Sequence, residues 1–178
     1  VNTASGQDAT IGGGHVNTAS GQDATIAGGS ANVASDQGAV VGGGTINTAS
    51  SDHATVGGGY WNTAGGSYAT VPGGDQNDAQ GRLSFTAGYR AHTSSSAVGS
   101  FVWGDSTDVD ITSSSLNEFV ARATGGFRFI TAVNASGAAT AGMSLPGGSS
   151  AWSTISDRNA KDNFAAVDGA AILDRLAA

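Results

Sequence analysis

The chain alternates apolar and polar positions in short runs that recur along its length. Ala9 and Ile11 flank Thr10, so two apolar side chains point to one face and the hydroxyl to the other. The same alternation occurs around Thr3. This period of two is typical of a half-buried β-strand, and the glycine runs between the strands disfavour helix. The pattern predicts two short strands and two glycine-containing turns in each unit.

The unit recurs along the chain with a constant spacing of fifteen positions. One column consists of Asn2, Asn17, Asn32, Asn47, Asn62 and Asn77, a second of Ile11, Ile26, Val41, Val56 and Val71, and a third of Gly13, Gly28, Gly43, Gly58, Gly73 and Gly88. Units of this length are too short for helical repeats. Stacked coils place each residue over its counterpart, so the sequence predicts an all-β fold, a parallel β-roll or solenoid with structural ladders of Asn and of Ile or Val.

Large apolar side chains are scarce. Hydrophobic residues make up 39% of the 178 residues and aromatic residues only 7%. Burial of apolar surface contributes about 25 cal/mol per Å². Ordering the backbone costs roughly 1–2 kcal/mol per residue, which one branched side chain and a few Ala per coil hardly offset. A single roll is therefore under-stabilised, and we expect an obligate oligomer.

The tandem units resemble the left-handed parallel β-roll heads of trimeric autotransporter adhesins and related phage tail-fibre proteins. The resemblance covers Val1 to Asp105, and the 15-residue period and the glycine triplets depart from the commonest adhesin pattern. It implies a left-handed roll, a homotrimer, and a place on a virion tail fibre or a bacterial cell surface. The implied function is structural and adhesive, with a cell-surface glycan or protein as receptor.

Aromatic residues gather towards the end of the repeats. They are Tyr60, Trp61, Tyr68, Phe85, Tyr89, Phe101 and Trp103. A structural cap is the expected role, because the last coil has no neighbour to cover it. The alternative is a glycan-binding head in which Tyr60, Trp61 and Tyr68 stack on sugar rings.

Charge and composition exclude several classes of partner. The net charge is −7, with 7 basic and 14 acidic residues and no basic block, so neither nucleic acid nor an anionic membrane is an expected partner. No apolar run is long enough to span a bilayer. We expect no cofactor and no metal, because the His and Asp residues lack ligand-like spacing. The residues concerned are His15, His53, His92, Asp105, Asp108 and Asp110.

Residues 106–150 are expected to form a β-rich neck after a roll of residues 1–105. Two strand-like runs between Leu116 and Ala132 flank Thr124, Gly125 and Gly126, which predicts a hairpin or a meander. Its core would come from Phe119, Phe127 and Phe129. A Pro-Gly-Gly-Ser-Ser run marks the end of this region.

Residues 151–178 contain the one stretch with candidate chemistry. Ser156, Asp157 and Lys161 resemble the S-D-x-x-x-K entry motif of the S74 intramolecular chaperone domains of endosialidases and tail spikes. The resemblance implies that Ser156 is the nucleophile and Lys161 the general base of a single-turnover self-cleavage between Ile155 and Ser156. A short helix is predicted towards the C-terminus. Only the start of such a chaperone is expected here, so we expect no turnover enzyme and an inert site.

Overall fold

The computed structural model describes residues 1–156 and 175–176. These residues form an all-β protein, in which the only described helical residues are Arg175 and Leu176. The chain divides into two compact units, Val1–Thr124 and Gly125–Ala178.

The first unit begins with two-residue strands and ends with longer ones. The short strands are β1 (Thr3–Ala4), β2 (Thr10–Ile11), β3 (Thr18–Ala19), β4 (Thr25–Ile26), β5 (Val33–Ala34), β6 (Val40–Val41), β7 (Thr48–Ala49), β8 (Thr55–Val56), β9 (Thr63–Ala64), β10 (Thr70–Val71), β11 (Gly74–Asp75) and β12 (Asp78–Ala79). The longer strands are β13 (Phe85–Tyr89), β14 (Ala91–Thr93), β15 (Phe101–Gly104), β16 (Ile111–Ser113) and β17 (Phe119–Arg122).

Two parallel sheets form the walls of this unit. Sheet A has the order β1-β3-β5-β7-β9-β12-β14-β16, and sheet B has the order β17-β15-β13-β10-β8-β6-β4-β2, with β11 paired to β13. Each coil contributes one strand to each sheet, so the unit is a β-solenoid of about eight coils, as the sequence predicted. In the early coils the paired residues are one repeat apart, as in Thr18 with Val33 and Ile26 with Val41.

The solenoid interior is filled by the columns that the sequence predicted. The side chains of Ile26, Val41, Val56 and Val71 are fully buried, together with two columns of Ala. The asparagines from Asn17 to Asn77 are buried beside them. Asn2 and Ile11, which belong to the first coil, are only half-buried because that coil has a neighbour on one side. The small side chains explain how two sheets of such short strands can lie close together.

The buried asparagines form a continuous ladder of hydrogen bonds, here called the Asn ladder. The backbone N–H of Asn62 donates to Oδ1 of Asn47 at 3.0 Å. The Nδ2 of Asn47 donates to the carbonyl oxygens of Gly43 and Gly59, both at 2.9 Å. The same arrangement repeats from coil to coil, so each buried amide satisfies turn carbonyls that would otherwise lack a partner.

Glycine is required at the turn that precedes each Asn. Gly44 has φ +81°, and a Cβ there would overlap the carbonyl oxygen of Gly59 in the next coil. The predicted glycine column is wrong at its last member, because Gly88 pairs with Gly74 rather than Gly73. The sixth coil is thus one residue shorter than the others on this side. His92 consequently pairs with Asp78, 14 positions earlier in the chain. The regular spacing of 15 would align His92 with Asn77 instead.

The solenoid continues beyond the predicted boundary at Asp105. β17 pairs in parallel with β15, which places Phe119 beside Phe101. The rings of Phe85, Phe101 and Phe119 stack in sequence, with centroids 4.9 and 4.7 Å apart. The predicted hairpin across Thr124 is therefore wrong. The period-2 pattern around Phe119 is also that of a solenoid strand, and stacking on Phe101 places it in sheet B.

The second unit contains a three-stranded antiparallel sheet, here called sheet C. Its strands are β18 (Gly126–Val133), β19 (Ala139–Pro146) and β20 (Ser153–Ser156), in that order. β18 and β19 form a hairpin, with Phe127 opposite Leu145 and Phe129 opposite Met143. None of the described residues from 125 to 156 is buried.

Candidate functional site

The outer face of sheet A carries an in-register row of polar side chains. Thr63 on β9 pairs with Asp78 on β12, and Asp78 pairs with His92 on β14. Adjacent strands lie roughly 4.8 Å apart, so these three side chains are neighbours on one surface. Asp78 and His92 interrupt a column that is otherwise largely Thr.

An exposed aromatic side chain lies beside this row. Trp61 precedes β9 with φ +52°, and its indole side chain is 57% exposed. Gln76 occupies the corresponding position before β12, with φ +58°. A shallow cavity of about 190 Å³ opens between these turns and sheet A. Its lining consists of Trp61, Thr63, Gln76, Asn77, Asp78 and His92. We call it the Trp61 cavity.

Asp78 is the acidic group of the Trp61 cavity. Burial raises the pKa of its carboxyl group, while a hydrogen bond from Gln80 and the nearby His92 act in the opposite direction. The Nε2 of Gln80 donates to Oδ1 of Asp78 at 2.6 Å. Within residues 1–156, no hydrogen bond is formed to the other carboxylate oxygen. Asp78 therefore presents a fixed acceptor to the cavity.

An ion-pair cluster lies next to His92. Arg90 donates from Nε to Asp110 at 2.7 Å and from Nη1 to Asp108 at 2.9 Å. These hydrogen bonds raise the pKa of Arg90 and lower that of Asp110. The Nε2 atom of His92 is buried and lies 3.5 Å from Oδ1 of Asp110. The cluster occupies the guanidinium of Arg90, so this side chain is already paired and does not neutralise Asp78.

The aromatic residues predicted to contact a glycan do not form one platform. Tyr60 lies next to Trp61, with ring centroids 6.4 Å apart in an edge-on arrangement. Tyr68 lies in the turn on the other side of β9, where it stacks on His53 at 5.2 Å and under Arg82. The expected aromatic cap is not observed either, because the Phe rings stack along the outer face of sheet B rather than across the end of the solenoid.

The three acidic residues of the Asp105–Asp110 loop all form ion pairs with arginine side chains. Asp105 accepts from Nε of Arg122 at 2.8 Å and from the backbone N–H of Thr124 at 2.7 Å. The Thr124 N–H and the guanidinium hold the pKa of Asp105 well below its usual range. The described part of the chain contains no group of three His, Cys, Asp or Glu residues placed to hold a metal.

The candidate cleavage site is only partly within the described residues. Ser156 is the last residue of β20, lies opposite Ala141, and is exposed. Ile155, which precedes it, is half-buried. Lys161 and most of the predicted C-terminal helix lie outside the described residues, so the Ser156–Lys161 pair stays a prediction.

Sequence reasoning identified Trp61 but missed its neighbours. The pairing of Asp78 with His92 falls one position short of the regular spacing, so the repeat columns did not align them. The interruption of the Thr column at Asp78 was the available signal.

No protein-family model matches the chain, and a search of curated proteins found no match to it. Over residues 1–156 and 175–176, there is no helix of the length and hydropathy that crossing a membrane requires.

Proposed function

We propose that the protein is a homotrimeric, structural and adhesive fibre segment of a phage tail fibre or bacterial surface adhesin. The observation that carries this proposal is the uncovered apolar face of sheet C. The similarity of the repeat to adhesin and tail-fibre heads supplies the expected three-fold symmetry and location.

One face of sheet C is apolar and exposed. Phe129 is 61% exposed and lies opposite Met143, which is itself exposed. Trp152 contacts this pair, with its ring centroid 5.6 Å from that of Phe129. Phe127 and Leu145 pair on the same face. A three-stranded sheet needs a covered apolar face for stability. Within the described residues of the second unit, no other element covers the apolar face of sheet C.

Further copies of the same chain are the partners that fit the apolar face of sheet C. The opposite face, called the polar face here, carries Arg128 paired with Ser144, and Ile130 and Ile155 also lie on it. Charge in sheet C is thus confined to the polar face. Over β18–β20, the apolar side presents no charged residue that would select a different, oppositely charged partner. Copies related by a closed rotation can place the same apolar patch together around one axis.

The solenoid supplies the rigid part of the fibre. About eight coils stacked roughly 4.8 Å apart give a rod on the order of 40 Å long. Every coil is joined to the next by sheet hydrogen bonds, and most are joined by the Asn ladder as well. A trimer of such rods presents three copies of any weak contact, so avidity exceeds the affinity of one site.

The mass in solution tests the assembly. Sedimentation across a dilution series should give a species with three times the chain mass of 17.3 kDa. Phe129→Ser should dissociate it, whereas Arg128→Ala, on the polar face, should not. A folded 17.3 kDa monomer with unchanged sheet C would overturn the proposal.

Self-cleavage before Ser156 is the second part of the proposal and rests on the sequence resemblance. It belongs to a chain that continues through a complete chaperone domain. Mass spectrometry of such a chain should find a break between Ile155 and Ser156. The break should disappear in Ser156→Ala and Lys161→Ala, and persistence in both variants would refute the assigned roles.

A further inference from the structure

We propose that the Trp61 cavity binds a neutral pyranose ring, the exposed terminal sugar of a cell-surface glycan. The inference deepens the adhesive function proposed above and rests on it for the source of the sugar. The site is formed by Trp61, Gln76, Asp78 and Thr63 on one chain. It differs from the set predicted from sequence, because Tyr68 lies elsewhere and Asp78 takes its place.

Trp61 supplies a stacking surface that is already held in position. Its backbone N–H donates to the carbonyl of Thr45 at 3.0 Å, and Tyr60 packs edge-on against its indole. A pyranose presents C–H groups on one face, and an exposed indole covers them with a large apolar area. Little side-chain freedom is lost on binding, because the turn is fixed by the solenoid.

The polar side chains opposite the indole suit hydroxyl groups. Gln80 fixes Oδ1 of Asp78, which leaves the second carboxylate oxygen to accept from a sugar hydroxyl. Gln76 can donate and accept, and Thr63 adds a hydroxyl on the adjacent strand. Hydrogen bonds to an ionised carboxylate are stronger than those between neutral groups, so Asp78 contributes most to the orientation of the bound sugar.

Charge and size select the class of sugar. Asp78 would repel the carboxylate of an acidic sugar, and Arg90 is already paired with Asp108 and Asp110. The cavity of about 190 Å³ is smaller than the sites that enclose drug-sized ligands, so it accommodates one ring rather than an internal stretch of oligosaccharide.

The repeat itself provides variants that preserve the fold. Ala31 occupies the position of Trp61 two coils earlier with φ +56°, so Trp61→Ala restores a residue that this turn already accepts. Thr63 occupies the position of Asp78, which makes Asp78→Thr the matching change on sheet A. Tyr68→Ala removes an exposed aromatic ring from the opposite turn and is the control.

Titration of the whole chain with methyl glycosides of glucose, galactose, mannose and N-acetylglucosamine, followed by NMR, tests the proposal. At least one should bind in the millimolar range. Trp61→Ala and Asp78→Thr should each weaken it by at least about tenfold, with Tyr68→Ala unchanged. Absence of binding by all four, or binding that survives Trp61→Ala, would overturn the proposal. Neither outcome depends on the trimer, whose mass is measured separately.

Discussion

The solenoid and sheet C differ in whether they bury their apolar side chains. The solenoid covers its own interior, where Ile26, Val41 and the Asn ladder are fully buried. Sheet C, by contrast, exposes Phe129 and Trp152 and buries none of its described residues. Small side chains are thus no obstacle to a core when parallel coils repeat them in register. Large aromatic side chains do not make a core when one sheet stands without a second layer.

The under-stabilisation of a lone roll stays a prediction. It counted only apolar burial, and the Asn ladder adds a second contribution to stability. The early coils contain no buried side chain larger than Ile, yet their buried amide groups have partners in the Asn ladder. Hydrogen bonds in a low-dielectric interior compensate for part of the missing apolar area. Exposed apolar side chains are concentrated in sheet C, and the stacked Phe rings of sheet B form a smaller exposed apolar surface.

Hydrogen exchange should show the largest difference between the two regions. Amides of the inner coils should exchange only through global opening, whereas those of β18–β20 should be protected only in the assembled protein. On dilution to monomers, sheet C should exchange faster than the solenoid by roughly 1,000-fold or more, the equivalent of about 4 kcal/mol. Equal protection of both regions in the monomer would break the comparison.

Asn47→Ala should cause the largest loss of stability among single substitutions in the solenoid. The change leaves the buried N–H of Asn62 and the partly buried carbonyl of Gly43 without their partners. Each orphaned group costs about 1–3 kcal/mol, so thermal or urea unfolding should show a loss of about 3 kcal/mol. Gln22→Ala, at an exposed turn position, should change stability by less than about 0.5 kcal/mol. A similar loss in both variants would show that the Asn ladder is not what stabilises the coils.

Substitutions at two adjacent glycines distinguish the cost of strain and steric overlap from the effect of replacing a glycine as such. Gly29 has φ +89° and its Cβ would overlap the carbonyl of Gly44, whereas Gly28 has open space around it. Gly29→Ala should cost about 2 kcal/mol in urea unfolding. Gly28→Ala should be neutral or slightly stabilising, because it restricts the unfolded chain. If the two changes were equivalent, close approach of the coils would not be the reason for the glycine.

Asp105→Asn should have the smallest effect, and that effect should depend on pH. The side chain is only 14% exposed and its pKa is lowered in the folded protein. Its contribution is therefore complete above the unfolded pKa of about 3.9 and is lost as the pH falls towards the folded value. The variant should melt a few degrees lower than the parent at pH 7, with the gap closing below about pH 4. Asp23→Asn, at an exposed position, is the control and should melt close to the parent at pH 7.

The sequence was sufficient for the interior of the solenoid because identical coils impose identical environments. The Asn and branched columns follow directly from that repetition. It was insufficient where the paired residues are not 15 positions apart in the sequence. Phe85 and Phe101 are 16 positions apart, and Phe101 and Phe119 are 18 positions apart. A period-2 run around Phe119 fits either a parallel coil or an antiparallel hairpin, and only the stacking partner decides between them. For the same reason, Asp78 and His92 were not recognised as neighbours of Trp61.

The in-register stacking of the coils makes the repeat unit interchangeable at the level of the gene. Paired residues are 15 positions apart in the early coils, so duplication or deletion of fifteen codons keeps every Asn beneath the next and every glycine at its turn. An in-frame change in length that is not a multiple of fifteen codons shifts one of these columns out of alignment. Unequal recombination between repeats can therefore lengthen or shorten the rod in steps of one coil, and the reach of the protein can evolve without a new fold.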